Sequence, residues 1–191
     1  MSEQQNVEKV TPGFSLDKVA GSGNDEFYTP RYAIYPLLEF IKPESYILCP
    51  FDTEASLFSE VLSDAGHAVH CSHIEIGTDF FSLTPADVAK YDYIISNPPY
   101  SKKGEVLQHL FDLGRPFAML LGVVGIFESQ KRFEMFRDNE FEVLYFNRRI
   151  AYFKDYADEK PSLNPPFSSV YICSGVLPRQ IEFREIDRRL A

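Results

Sequence analysis

The chain has 191 residues, 45% hydrophobic and 25% charged, with a net charge of −9. That length predicts one domain with a real core, and the composition is that of a soluble globular protein. No apolar run approaches a membrane span, and the opening MSEQQNVEKV lacks the basic and apolar regions of a signal peptide, so a cytoplasmic protein is expected. The charge is unevenly spread. Residues 1–100 carry 5 Lys+Arg against 15 Asp+Glu, which gives −10; residues 101–191 carry 14 against 13, which gives +1. A polyanionic partner would therefore approach over the second half, where Lys102-Lys103, Lys131-Arg132 and Arg148-Arg149 stand in pairs. The cysteines Cys49, Cys71 and Cys173 are odd in number and lie in apolar or strand-like runs, which predicts buried free thiols.

Residues 1–24 are polar, contain GSG, and read as a flexible lead-in. The stretch 29–41 reads as partly helical, with Pro30 suited to a first turn. SYILC (45–49) is a short buried strand running into PFDTEAS. Glu54 to Ala65 follows as a helix with Leu57, Phe58, Val61 and Leu62 on one face, ended by Gly66. Strands are expected at 68–75, 91–96 and 116–123, and helices near Glu105–Leu113 and Glu128–Arg137. Late strands at 141–146 and 168–177 flank a polar, proline-rich stretch at 154–166. No helix separates these two, so they are expected to pair as an antiparallel hairpin around 141–146 and 168–174. Alternating strands and helices predict an α/β fold with a mainly parallel sheet covered on both faces. Ligands in such sheets bind at the carboxyl ends of strands, where the strand order switches.

Two motifs occupy such ends: CPFDTEAS (49–56) and SNPPY (96–100). Prolines cannot continue a strand, so Asn97-Pro98-Pro99-Tyr100 is a rigid exit. It offers an amide oxygen, a backbone carbonyl and an aromatic face. Two fixed acceptors suit a planar –NH2 group whose lone pair is delocalised. Accepting both N–H bonds pulls that nitrogen toward tetrahedral geometry and frees the lone pair for attack.

Asn97-Pro98-Pro99-Tyr100 resembles the catalytic motif of S-adenosylmethionine-dependent amino methyltransferases, chiefly the adenine-N6 DNA methyltransferases. NDEFYTP (24–30) resembles the entry segment of the small phage-type members. The resemblance implies a single Rossmann-like class I methyltransferase domain over residues 25–191, with a seven-stranded, mainly parallel sheet. It implies Asn97, Pro98, Pro99 and Tyr100 at the target amine, with Tyr100 stacked on a flipped base. It implies Tyr28, Thr29 and Pro30 on the methionine side of the cofactor. Pro50, Phe51 and Asp52 would form the loop after the first strand, and Asp52 would reach the methionine ammonium. Glu75, near the end of the second strand, falls at the cofactor ribose, and Asp79 and Phe80 by its adenine. The family's loop carries glycines, and Pro50–Ser56 has none. DNA contact is expected from Lys102, Arg148 and Arg149, with 148–167 as the target-contacting segment. Alternatives are an RNA or protein-glutamine amino-methyltransferase, or a non-catalytic protein that keeps the fold.

Other motifs weigh less. HAVHCSH (67–73) has the donors for a metal, but on a strand residues 71 and 73 share a face that residue 70 does not, so no metal centre is expected. NPPFSS (164–169) echoes the first motif without an apolar strand before it and is read as the start of a late strand, with target contact the alternative. GVVGIF (122–127) lacks the spacing of a phosphate loop and is read as a strand exit. Tyr145, Phe146, Tyr152 and Phe153 are read as core, with Tyr152 and Phe153 the pair to watch beside Arg148-Arg149.

Overall fold

The strands form because short apolar runs end on turn-forming residues, and the central ones are buried on both sides because their apolar positions do not alternate with polar ones. In a computed structural model, which describes residues 28–190 apart from 156, 159 and 163, seven strands make one sheet. They are β1 (Tyr46–Cys49), β2 (Ala68–Cys71), β3 (Tyr93–Ser96), β4 (Phe117–Gly122), β5 (Glu142–Phe146), β6 (Ser169–Ser174) and β7 (Ile181–Arg184). Their order is β2-β1-β3-β4-β6-β5-β7. The first four run parallel, and β6 is antiparallel to both β4 and β5. The expected late pair is present, with Glu142 opposite Cys173 and Tyr145 opposite Val170. The lead-in at 1–24, and residues 24–27 of the NDEFYTP stretch, lie outside the described residues.

Helices cover both faces. α1 (Arg31–Leu38) and α2 (Leu57–Asp64) pack on the face that carries Ile47, Cys49, Tyr93, Ile95, Ala118 and Leu120. After the short α3 (Pro85–Val88), α4 (Lys103–Leu113) and α5 (Gln130–Asp138) pack on the face of Leu48, Ile94, Phe117, Met119 and Leu121. Neighbouring residues on each strand thus feed opposite cores, the period-two rule applied to a strand with two apolar sides. α2 buries Phe58, Val61 and Leu62 and is followed by Gly66, whose φ of +89° lets the chain turn sharply into β2. Pro30 is the N-cap of α1, one position before the first turn.

Two differences from the sequence reading have simple causes. β2 ends at Cys71, not near Glu75. Its register partner Cys49 is the last residue of β1, so nothing remains to pair with, and residues 74–76 close into a 3-10 turn that leaves Ile74 71% exposed. β7 supplies the expected seventh strand, at a position the sequence reading did not assign. It is a four-residue edge strand, parallel to β5, with only Glu182 buried. Cys49, Cys71 and Cys173 are all buried free thiols.

One glycine is fixed by a close approach. At Gly122, the last residue of β4, a Cβ would stand 2.5 Å from the Phe167 ring. Gly122→Ala should therefore cost about 1–3 kcal/mol in a denaturation experiment, the usual range for overpacking. A stability change below a few tenths would mean that the ring moves aside freely.

Candidate active site

The order of the sheet creates a crevice. From β1 the chain first goes outward to β2, then back across to β3 on the other side, so the loops leaving β1 and β3 diverge at their carboxyl ends. A cavity of about 370 Å³ lies there, within the ~300–1,000 Å³ range of small-molecule sites. The loop after β1 supplies Phe51, Asp52, Thr53, Ala55 and Ser56, and the exit of β3 supplies Asn97, Pro98 and Pro99. Tyr28 and Thr29 come from the segment before α1, His73 and Glu75 from beyond β2, and Asp155 from the segment after β5.

Asp52 joins the two loops. It is 8% exposed, and its carboxylate accepts hydrogen bonds from the hydroxyls of Ser56 and Ser96. Ser56 is also the N-cap of α2, accepting the Phe58 N–H at 3.1 Å, and Ser96 is the last residue of β3. No ion pair among the described residues includes Asp52. Burial pushes its acid up to about 6, while the two serine hydroxyls and the nearby His73 oppose the rise.

Two further hydroxyls are poised without partners. Thr29 is 1% exposed, and its Oγ1 has no hydrogen-bond partner among the described residues; the same holds for Ser72, beside His73. A buried hydroxyl left so costs free energy unless a ligand or water meets it. The lining contains the carboxylates of Asp52, Glu75 and Asp155 and no lysine or arginine. The N-terminus of α2 is closed by Ser56. Such a cavity suits a cation and not a phosphate, which would need open N–H groups at the helix start. No group of three or more His, Cys, Asp or Glu among the described residues is placed to hold a metal ion.

The remaining candidate residues are not among those that line this cavity. Pro50 is buried in the turn that leads to it. Phe80 is 3% exposed beneath Phe51, with ring centroids 4.8 Å apart, so it backs the wall that Phe51 presents. Asp79 caps the next 3-10 turn through the Phe81 N–H at 3.0 Å. The Tyr100 hydroxyl donates to Tyr152 at 2.8 Å, and its ring meets Phe167 edge-on at 5.7 Å. Lys102 is exposed, with Nζ 5.6 Å from the centre of the Phe81 ring. Arg148 and Arg149 are exposed, and the Arg149 guanidinium reaches the Pro165 carbonyl at 3.5 Å.

Thr53, Ala55 and Ser56 fall within the CPFDTEAS motif but had no individual role assigned, His73 was weighed only as a metal ligand, and Asp155 had no site role. Ser56 had a signal, a serine just before an apolar helical face. Asp155 had none, since only the pairing of Phe153 with Tyr28 brings its segment over the cavity.

No family model matches the chain, and no curated protein matches it. Solved structures are similar to it. A protein described as a modification subunit of a type I restriction enzyme, from Vibrio vulnificus, is 10% identical with a TM-score of 0.53 over 88% of this chain and 48% of that one. This chain thus spans about half the length of that neighbour. A protein described as an O-methyltransferase, from Agrobacterium tumefaciens, is 11% identical with a TM-score of 0.47, over 78% of this chain and 83% of that one. A release-factor-specific protein-glutamine-N5 methyltransferase from Alicyclobacillus acidocaldarius is 16% identical with a TM-score of 0.34, over 75% and 93%. The chain has a Rossmann-like α/β fold, shared with that modification subunit.

The raised acid of Asp52 has a consequence for stability. A carboxyl whose folded value exceeds its ordinary one favours the folded state at low pH, and the benefit fades as pH rises through about 6. At pH 8 the ionised group therefore costs up to about 3 kcal/mol, taking ~1.4 kcal/mol per unit. Asp52→Asn should raise the unfolding midpoint at pH 8 and leave it nearly unchanged at pH 4. Urea titrations of both proteins at both pH values test this, and destabilisation at pH 8 would contradict it.

Proposed function

We propose that this chain is an S-adenosylmethionine-dependent methyltransferase acting on the exocyclic N6 amine of adenine in DNA. The observation that carries the reading is that Asn97-Pro98-Pro99 and Asp52 line one cavity, held together by the Ser96–Asp52 hydrogen bond. The cofactor fits the residues present: a buried carboxylate lacking a cation, an unpartnered Thr29 hydroxyl and an acidic rim. When bound it would supply an electrophilic methyl group on a sulfonium. Asp52 would hold its ammonium, Tyr28 and Thr29 its methionine side, Glu75 its ribose, and Phe51, backed by Phe80, its adenine.

The chain's own contribution is positional. Asn97 and the Pro98 carbonyl act as acceptors for the target amine, and the fixed prolines hold them without reorganisation. Because the amine is activated by hydrogen bonding, no strongly basic residue is required. Low dielectric around the half-buried Asn97 strengthens both contacts.

DNA is favoured as the substrate by charge and by strand direction. Lys102 follows β3 and Arg148-Arg149 follow β5, and β3, β4 and β5 all run the same way. Both basic segments therefore lie at the cavity's edge of the sheet, where phosphates flanking a target would pass.

Transfer of labelled methyl groups onto DNA, tRNA and a glutamine-bearing peptide tests the reading. DNA should be labelled, and Asn97→Ala should lower turnover about 100-fold or more while cofactor affinity stays within a few-fold. Cofactor binding without transfer to any of the three would indicate a non-catalytic protein. Affinity for the cofactor should fall about tenfold per pH unit below pH 6, as Asp52 gains its proton, and calorimetry at pH 5 and pH 8 measures it. Arg148→Ala with Arg149→Ala should reduce the salt slope of DNA binding by about 1–2. An unaltered slope in anisotropy titrations would take these arginines off the DNA path.

A further inference from the structure

Tyr152 is completely buried, although its ring alone would fill the same core space as phenylalanine. Its hydroxyl lies between two others: Tyr100 donates to it at 2.8 Å, and it donates to Ser169 Oγ at 2.8 Å. Ser169 is 2% exposed and is the first residue of β6. The chain of hydroxyls thus runs from the motif turn after β3, through the segment after β5, to the sheet. Burial holds the Tyr152 hydroxyl well above its usual acidity range, so it stays a donor to Ser169. The tether grips Tyr100 at the far end of its ring, while Phe167 flanks the ring edge-on. The hydrogen bond sits on the ring's long axis and fixes where that axis points, while the Phe167 ring hinders rotation about it; an untethered Tyr100 would swing clear of Phe167 and turn.

The backbone of Tyr152 belongs to a strap over the cavity. Its neighbour Phe153 donates its N–H to the Tyr28 carbonyl at 3.0 Å, and Tyr28 and Asp155 both line the cavity. We propose that Tyr152 is a positioning residue for the transfer reaction: its hydroxyl, anchored on Ser169, fixes the Tyr100 ring beside Asn97-Pro98-Pro99 and so sets the plane in which the target group is presented. This rests on the methyl-transfer reading above.

The test uses Tyr152→Phe, Tyr100→Phe and the double variant, with Ser169→Ala as a change that leaves both rings in place. Methyl transfer to DNA should fall roughly 3–10-fold in turnover in each single tyrosine variant, the size expected for one hydrogen bond. Cofactor affinity by calorimetry should not change, and the double variant should be no slower than either single one, because both remove the same bond. Losses that multiply in the double variant, or that track a loss of cofactor affinity, overturn the proposal. A second readout does not depend on catalysis. In protein labelled with 3-fluorotyrosine, the ¹⁹F signal of Tyr100, assigned with Tyr100→Phe, should report distinct ring orientations in the wild type. It should average in Tyr152→Phe, and broaden in the same direction in Ser169→Ala. An unchanged signal in Tyr152→Phe overturns the tether whether or not any substrate is methylated, whereas absent methylation with an averaged signal removes only the methyl-transfer reading.

Discussion

The site depends on one buried carboxylate. Asp52 stands where the β1 exit, the cap of α2 and the end of β3 converge, and its two serine partners come from the second and third of these. Hydroxyls donate hydrogen bonds to a carboxylate but do not neutralise it. The folded protein therefore carries a desolvated negative charge with no ion pair among the described residues, an arrangement that weakens the fold at neutral pH. Strain of this kind persists where a ligand relieves it. A cation entering the cavity would do so, as the proposed cofactor's ammonium does in the reading above.

That constraint also accounts for the absence of glycine in the loop at 50–56. A glycine-rich loop lets backbone N–H groups approach a phosphate. Here Ser56 closes the start of α2, Phe51 lies on Phe80, and three carboxylates face the cavity. Nothing in that set is built for an anion, and a cationic cofactor asks for none of what is missing. The departure from the glycine pattern and the acidic lining are two sides of one choice.

The legible part of the fold was its two-sided core. Runs such as YII and FAMLL are apolar at every position, and only a sheet covered on both faces buries them so. The motif loops were legible because proline and serine punctuate strand ends. β7 was not, because Ile-Glu-Phe-Arg alternates over only four residues, and its exposed Ile181 and Phe183 mark an edge that looks like loop. The end of β2 was misplaced because HIEI has strand chemistry, whereas a strand also needs a partner and β1 had stopped. Asp155 and the tie between Tyr100 and Tyr152 depend on contacts between residues far apart in sequence, which local pattern does not encode.

Strand direction brings the two halves of the chain together. The acidic half builds the β1–β3 crevice, and the basic pair at 148–149 belongs to the other half. Had β5 formed a simple hairpin with β4, its end would lie at the opposite edge of the sheet, far from the cavity. Instead α5 carries the chain back so that β5 runs parallel to β4 with a gap between them, and β6 fills that gap antiparallel to both. The insertion of β6 places Ser169 opposite Gly122 at the carboxyl end of β4, and the segment after β5 brings Asp155 to the cavity. The proposed cation pocket and basic rim draw mainly on separate halves of the sequence, with Asp155 of the second half also lining the pocket. Strand order delivers both to the carboxyl ends of parallel strands.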